Sequence, residues 1–308
     1  MFSEISRRHF LSGAAAFGLA AQSFPAFSQT PSKLLGHAAI GNGPEAVAVL
    51  HQWLGDHTNF DWASPLFSRD KATYVLTDLR GYGLSRHLTG QYTIEEAAAD
   101  VLALMDKRGF SRFHVVGHSM SGMIAQYLAL HFPDRVKSVV CISPVPASGY
   151  KGDPAPLRAV ITDDAAFATA VHKRTSARYG QPFVDWMRSV ARTASPEALE
   201  GYLTMFTTTD FAAQAVNLPI PAVLITGARD IKFYSQGDLE PQFRKAFTNL
   251  QVAAIADAGH YPMMETPILL AALVERAIFG QPVTKNARVG RPGAGELAQT
   301  SDVQGGIV

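Results

Sequence analysis

The sequence predicts an α/β fold: a mostly parallel, doubly wound sheet with a small inserted helical cap. Three observations predict it. Short, near-continuous apolar runs recur along the chain, as parallel strands covered on both faces require. Segments of helical spacing separate them, and that alternation implies an open sheet with helices packed on it. One stretch, about residues 144–218, breaks the alternation and reads as helices without a strand.

The strand candidates, in order, are "EAVAVLHQ", "ATYVLTD", "RFHVVGH", "VKSVVCIS", "PAVLITGA" and "LQVAAIADA". The clearest helix is "TIEEAAADVLALMDKRG". Its Ile94, Ala97, Ala98, Val101, Leu102 and Met105 fall on one face. Thr93 and Glu96 form a capping-box pattern, and Gly109 suits the other end. A second helix runs from about Met120 to Phe132 and stops before Pro133; a third, "TPILLAALVERAIFG", closes the domain. The strand-poor stretch carries Phe167, Tyr179, Phe183, Trp186, Met187, Tyr202, Met205 and Phe206, mostly as the core of a cap over the strand ends. Residues 281–308 are rich in Gly and polar side chains, show little periodicity and read as disordered. In such sheets ligands sit beyond the carboxyl ends of the strands, so functional residues should follow these runs directly.

The chain has 308 residues, 47% hydrophobic and 17% charged, with a formal net charge of +1. That is a globular composition without the basic footprint of a nucleic-acid partner. Cys141 is the sole cysteine, so no intramolecular disulfide forms; its apolar strand makes it a small core residue.

Residues 1–28 differ from the rest. A charged start leads to an apolar stretch of about 12 residues from Phe10 and then to Ala26, Phe27 and Ser28. A bilayer takes about 20 residues, so this reads as a cleavable leader rather than a span. Arg7 and Arg8, followed by His9, Phe10 and Leu11, resemble a bacterial twin-arginine signal. The expectation is export by the twin-arginine machinery, cleavage after Ser28, and a periplasmic or secreted mature chain, residues 29–280 plus tail, with no stable membrane insertion. An ordinary secretory signal or a retained anchor is the alternative.

The stretch "VVGHSMSGMIA" places Ser119 between a buried strand and a helix, with small residues on both sides. A serine hydroxyl becomes a nucleophile only when a base takes its proton. A tight strand-to-helix turn pushes that hydroxyl out over the sheet, and small neighbours let strand and helix approach. The Met120 amide then lies at a helix N-terminus, where developing negative charge is favoured.

Strand, G-H-S-M-S-G and helix together resemble the α/β-hydrolase superfamily, and the resemblance spans about residues 34–280. It implies a triad in the order Ser, acid, His. "PAVLITGARD" puts Asp230 just past one strand, and "AIADAGHYP" puts His260 just past the next. The other position for the acid, after Ile142, shows "SPVPASG" and no carboxylate; Asp257 is the remaining competitor. The implied roles are Ser119 as nucleophile, His260 as general base and then acid, and Asp230 as the group that orients the imidazole. The second oxyanion donor is implied at the Trp53 amide, partnering that of Met120. Gln52 stands where many members have Gly, and Ser121 stands for the last Gly of the elbow. Asp78, Arg80, Gly81 and Gly83 in "TDLRGYGLSR" read as structural, and His118 as buried support.

A serine, not an aspartate, at the elbow argues against the haloalkane dehalogenase and epoxide hydrolase branches. The implied reaction is hydrolysis of a small-molecule carboxylic ester or lactone through an acyl-enzyme, with an apolar group under the cap. No metal-ligand spacing or nucleotide loop appears, so no cofactor is implied. The rivals are a non-haem haloperoxidase or perhydrolase, a C–C bond hydrolase with the same triad, and a hydrolase-fold receptor of slow turnover.

Overall fold

A computed structural model describes residues 34–283 and the backbone of 286–287. The leader therefore lies outside the described residues, as does the rest of the tail. Among the described residues eight strands form one sheet: β1 (His37–Ile40), β2 (Glu45–Leu50), β3 (Ala72–Thr77), β4 (Phe113–His118), β5 (Val136–Ile142), β6 (Ala222–Gly227), β7 (Leu250–Ile255) and β8 (Asn286–Ala287). Their order is β1-β3-β2-β4-β5-β6-β7-β8. Only β1 is antiparallel, against β3; the other pairings are parallel.

All six sequence-predicted strands are present. β1 was not expected, because four residues at a half-exposed edge carry too short an apolar pattern. β8 is a correction to the reading of the tail as disordered, since Asn286 and Ala287 pair with Ala254 and Ile255.

The sheet is covered on both faces. On one pack α1 (Ile94–Lys107), α2 (Met120–His131) and, near the end of the domain, a helix over Gln236–Ala246; on the other packs a C-terminal helix over Pro267–Ile278. In α1 the Thr93 hydroxyl accepts the Glu96 N–H, but the Glu96 carboxylate reaches past Thr93 to the amides of Gln91 and Tyr92. The first bond satisfies an orphan amide of the first turn, and the other two tie down the chain that enters the helix. Between β5 and β6 lie α3 (Ala155–Thr162), α4 (Asp164–Arg174), α5 (Gln181–Ala191) and α6 (Pro196–Thr208). The two later helices are then α7 (Gln236–Ala246) and, after the one-turn α8 (Pro262–Glu265), α9 (Pro267–Ile278). No helix of the described residues is long and apolar enough to cross a membrane.

The "TDLRGYGLSR" turn is a clamp. Asp78 accepts hydrogen bonds from the backbone and ring of His57 and from the Leu84 amide. Burial alone would raise its carboxyl pKa, yet these donors hold it low. Arg80 forks onto Asp100 of α1 with contacts of 2.9 and 2.6 Å.

Candidate active site

Ser119 sits at the junction of β4 and α2 with φ 55° and ψ −116°, a conformation an L side chain adopts at a cost of order 1–3 kcal/mol. The surrounding backbone holds it there. Its N–H donates to Ile142 O at 2.9 Å, and its carbonyl accepts from Val145 N at 2.8 Å and Gly122 N at 3.0 Å. Gly122 takes over the close approach: a Cβ there would stand 2.3 Å from Pro144 Cβ. This frees the preceding position for Ser121, whose hydroxyl donates to His51 O at 2.5 Å and ties the helix to the end of β2.

His260 Nε2 is 3.0 Å from Ser119 Oγ, and His260 Nδ1 is 2.6 Å from Asp230 Oδ2. The second contact makes Nδ1 the protonated nitrogen and leaves Nε2 as the acceptor facing Ser119. The other Asp230 oxygen accepts the Ile231 N–H at 2.7 Å. The side chain of Asp230 is wholly buried. Asp257 instead points to solvent, 69% exposed, with a 3.3 Å contact to Arg229. The structure thus brings Ser119, His260 and Asp230 together and leaves Asp257 out.

The loop that carries His260 is held from two sides. The His260 N–H donates to the carbonyl of Arg174 at 2.8 Å. A Cβ on Gly259 would meet that same carbonyl at 2.1 Å, so glycine is required for the approach. The Glu265 carboxylate accepts from Gly259 N at 2.9 Å and from Tyr261 N at 2.8 Å, the two amides flanking His260, and pairs with Arg178 at 2.5 Å. Burial raises its pKa against these donors. Glu265→Ala is expected to orphan both amides, cost roughly 1–3 kcal/mol of stability and lower kcat as the His260 loop loosens. Glu265→Gln should retain part of both. Urea titration beside steady-state kinetics checks this, and an unchanged kcat in the Ala variant would show that the carboxylate does not position the loop.

His118 is fully buried, with Nε2 2.7 Å from the His260 carbonyl. Burial drives its pKa well below the ordinary histidine value, so it is a neutral donor to that carbonyl. His51 bonds Gln52 O through Nδ1 at 2.6 Å and accepts the Leu79 N–H at Nε2, fixing the loop after β2. On that loop the Trp53 ring is buried and its Nε1 donates to Leu199 O at 2.8 Å. The backbone N–H groups of Trp53 and Met120 have no acceptor among the described residues. Both residues line one cavity with Ser119 and His260, and so does Gln52, whose side-chain Nε2 is buried without an acceptor. The cavity is small, with a volume of about 60 Å³.

Sequence reasoning missed several neighbours. Tyr234 packs its ring 4.3 Å from that of His260 and turns its hydroxyl to Ser119. Burial raises its phenol pKa. Glu265 and Arg174 were also missed, since nothing in their local sequence signals a contact made only by the fold.

Fold and site together define a chain with the α/β-hydrolase fold and a Ser–His–Asp arrangement at its strand ends. Residues 45–183 match the family described as alpha/beta hydrolase fold. The chain is 25% identical over 204 residues to 3-oxoadipate enol-lactonase 2 of Acinetobacter baylyi, covering 64% of this chain and 76% of that protein. It is 40% identical over 110 residues to a dihydrolipoyllysine-residue acetyltransferase component of an acetoin cleaving system of Cupriavidus necator, covering 35% of this chain but only 29% of that protein. Among solved structures, an esterase from Exiguobacterium antarcticum superposes with a TM-score of 0.71 at 16% identity, covering 80% of this chain and 95% of that one.

Proposed function

We propose that the protein is a serine hydrolase that cleaves a carboxylic ester or lactone through an acyl-enzyme. The observation that carries the reading is the continuous path from Ser119 Oγ through His260 to the buried Asp230 carboxylate. His260 Nε2 takes the serine proton as Oγ attacks the carbonyl carbon. Asp230 stabilises the imidazolium that forms. The oxygen that gains charge lies against the Met120 and Trp53 amides, with the Gln52 carboxamide as a third donor. The acyl-enzyme forms as His260 returns its proton to the leaving alkoxide. Water, activated by the same imidazole, then releases the acid.

The names of an enol-lactonase and an esterase among similar proteins support an ester or lactone substrate. A panel of p-nitrophenyl esters and simple lactones, assayed with and without peroxide, tests the reading. Steady peroxide-independent turnover is expected. Turnover only with peroxide would assign the perhydrolase reaction, and a single slow turnover the receptor role.

The leader supports export by the twin-arginine machinery and a periplasmic or secreted mature protein. Intact mass of the protein recovered from its native compartment should begin near Gln29; a retained Met1 would oppose export.

A further inference from the structure

The proposed chemistry leaves one group in the cavity wall unused. Arg174, the last residue of α4, lines the cavity with Ser119 and His260. Its backbone is pinned there, because its carbonyl holds the His260 N–H at 2.8 Å and Gly259 closes against it. The side chain starts from a fixed point beside the reacting atoms. The residue is half-buried, and the one hydrogen bond its guanidinium makes among the described residues goes back to Ala170 O at 3.2 Å.

No carboxylate among the described residues forms an ion pair with Arg174. The nearby acids are committed elsewhere, Glu265 to Arg178 and Asp230 to His260. No aspartate or glutamate lines the cavity, so Arg174 is the one fixed charge among its lining residues. Its field reaches the phenols of Tyr234 and Tyr261, where it offsets part of the rise that burial causes. A guanidinium held partly out of water without a counterion costs free energy, and its fork of N–H donors matches a carboxylate.

We propose that Arg174 is the anchor for a carboxylate on the substrate, so that the enzyme takes an ester or lactone bearing a second, ionised acid group. This rests on the hydrolase reading and adds a charged end to the apolar group that the sequence leads one to expect under the cap. Trp53, Leu157 and Phe206 supply an apolar wall for the linking carbons, while Arg174 sets which end faces away from Ser119. The small volume of the cavity favours a short spacer between the two carbonyl groups.

The test separates recognition from chemistry. In full-length protein carrying Ser119→Ala, which cannot turn substrate over, calorimetry measures binding of methyl hydrogen succinate, glutarate and adipate, each against its primary amide. At least one acid is expected to bind about ten-fold or more tightly than its amide, with the advantage shrinking as salt rises. Adding Arg174→Gln should erase that difference; circular dichroism and thermal melting of the double variant establish that it folds. Equal affinity for acid and amide across the series, or a preference that survives Arg174→Gln, would overturn the anchor. Ester turnover by the unsubstituted enzyme is scored separately, so a failed subsite and a failed hydrolase reading are told apart.

Discussion

Ser119→Ala lowers kcat for p-nitrophenyl acetate by about four orders of magnitude or more and leaves the fold intact. The size of the loss follows from the role. A missing nucleophile removes the covalent path, and what remains is the modest catalysis of the oxyanion donors and binding. The fold survives because alanine keeps the Cβ and the backbone bonds to Ile142, Val145 and Gly122. The side-chain contacts removed are the 3.0 Å one to His260 and that of the Tyr234 hydroxyl. Ser119→Gly is the informative companion. It loses activity to the same extent, but it relieves the φ of 55° and should stabilise the protein by about 1 kcal/mol. Turnover and denaturant midpoints on the three proteins check this. Retained turnover in the alanine variant would remove Ser119 from the reaction. A glycine variant no more stable than the alanine one would mean the turn stores no strain.

Asp230→Asn lowers kcat by about three to four orders of magnitude, whereas Asp257→Asn stays within about three-fold of the parent. The contrast is geometric. Asp230 is buried, accepts the Ile231 amide, and uses its other oxygen to fix the His260 tautomer at 2.6 Å. An asparagine there can present its NH₂ to Nδ1, which moves the ring proton to Nε2 and turns the base into a donor facing Ser119. Asp257 is three residues from His260 in sequence but faces solvent beside Arg229. Kinetics of the two single variants decide the matter, and the reverse ranking would move the acid.

Much of this arrangement was legible because its signals are local. Strands buried on both faces give unbroken apolar runs, so six of them could be read directly. The elbow compresses strand, small residues and helix into a short stretch, which made Ser119 visible, and Asp230 and His260 each follow a strand closely. What stayed hidden depends on distant partners or on misleading local chemistry. β1 is a short edge strand, and α7 carries Pro241 inside it with few apolar residues. Glu265, Tyr234 and Arg174 matter only because the fold brings three separate segments around one imidazole. Gln52 and Ser121 looked like departures from the family pattern. In the structure Ser121 anchors the helix to the end of β2, while Gln52 lines the cavity and keeps a buried Nε2 without an acceptor.

The central claim is that one hydroxyl in this chain is nucleophilic because His260 and Asp230 make it so. Inactivation with a p-nitrophenyl phosphonate, followed by peptide mass spectrometry, tests it most directly. The account predicts a single phosphonyl adduct on Ser119, formed in step with loss of activity and abolished by His260→Ala. An adduct on another residue, or complete inactivation with Ser119 unmodified, would contradict it.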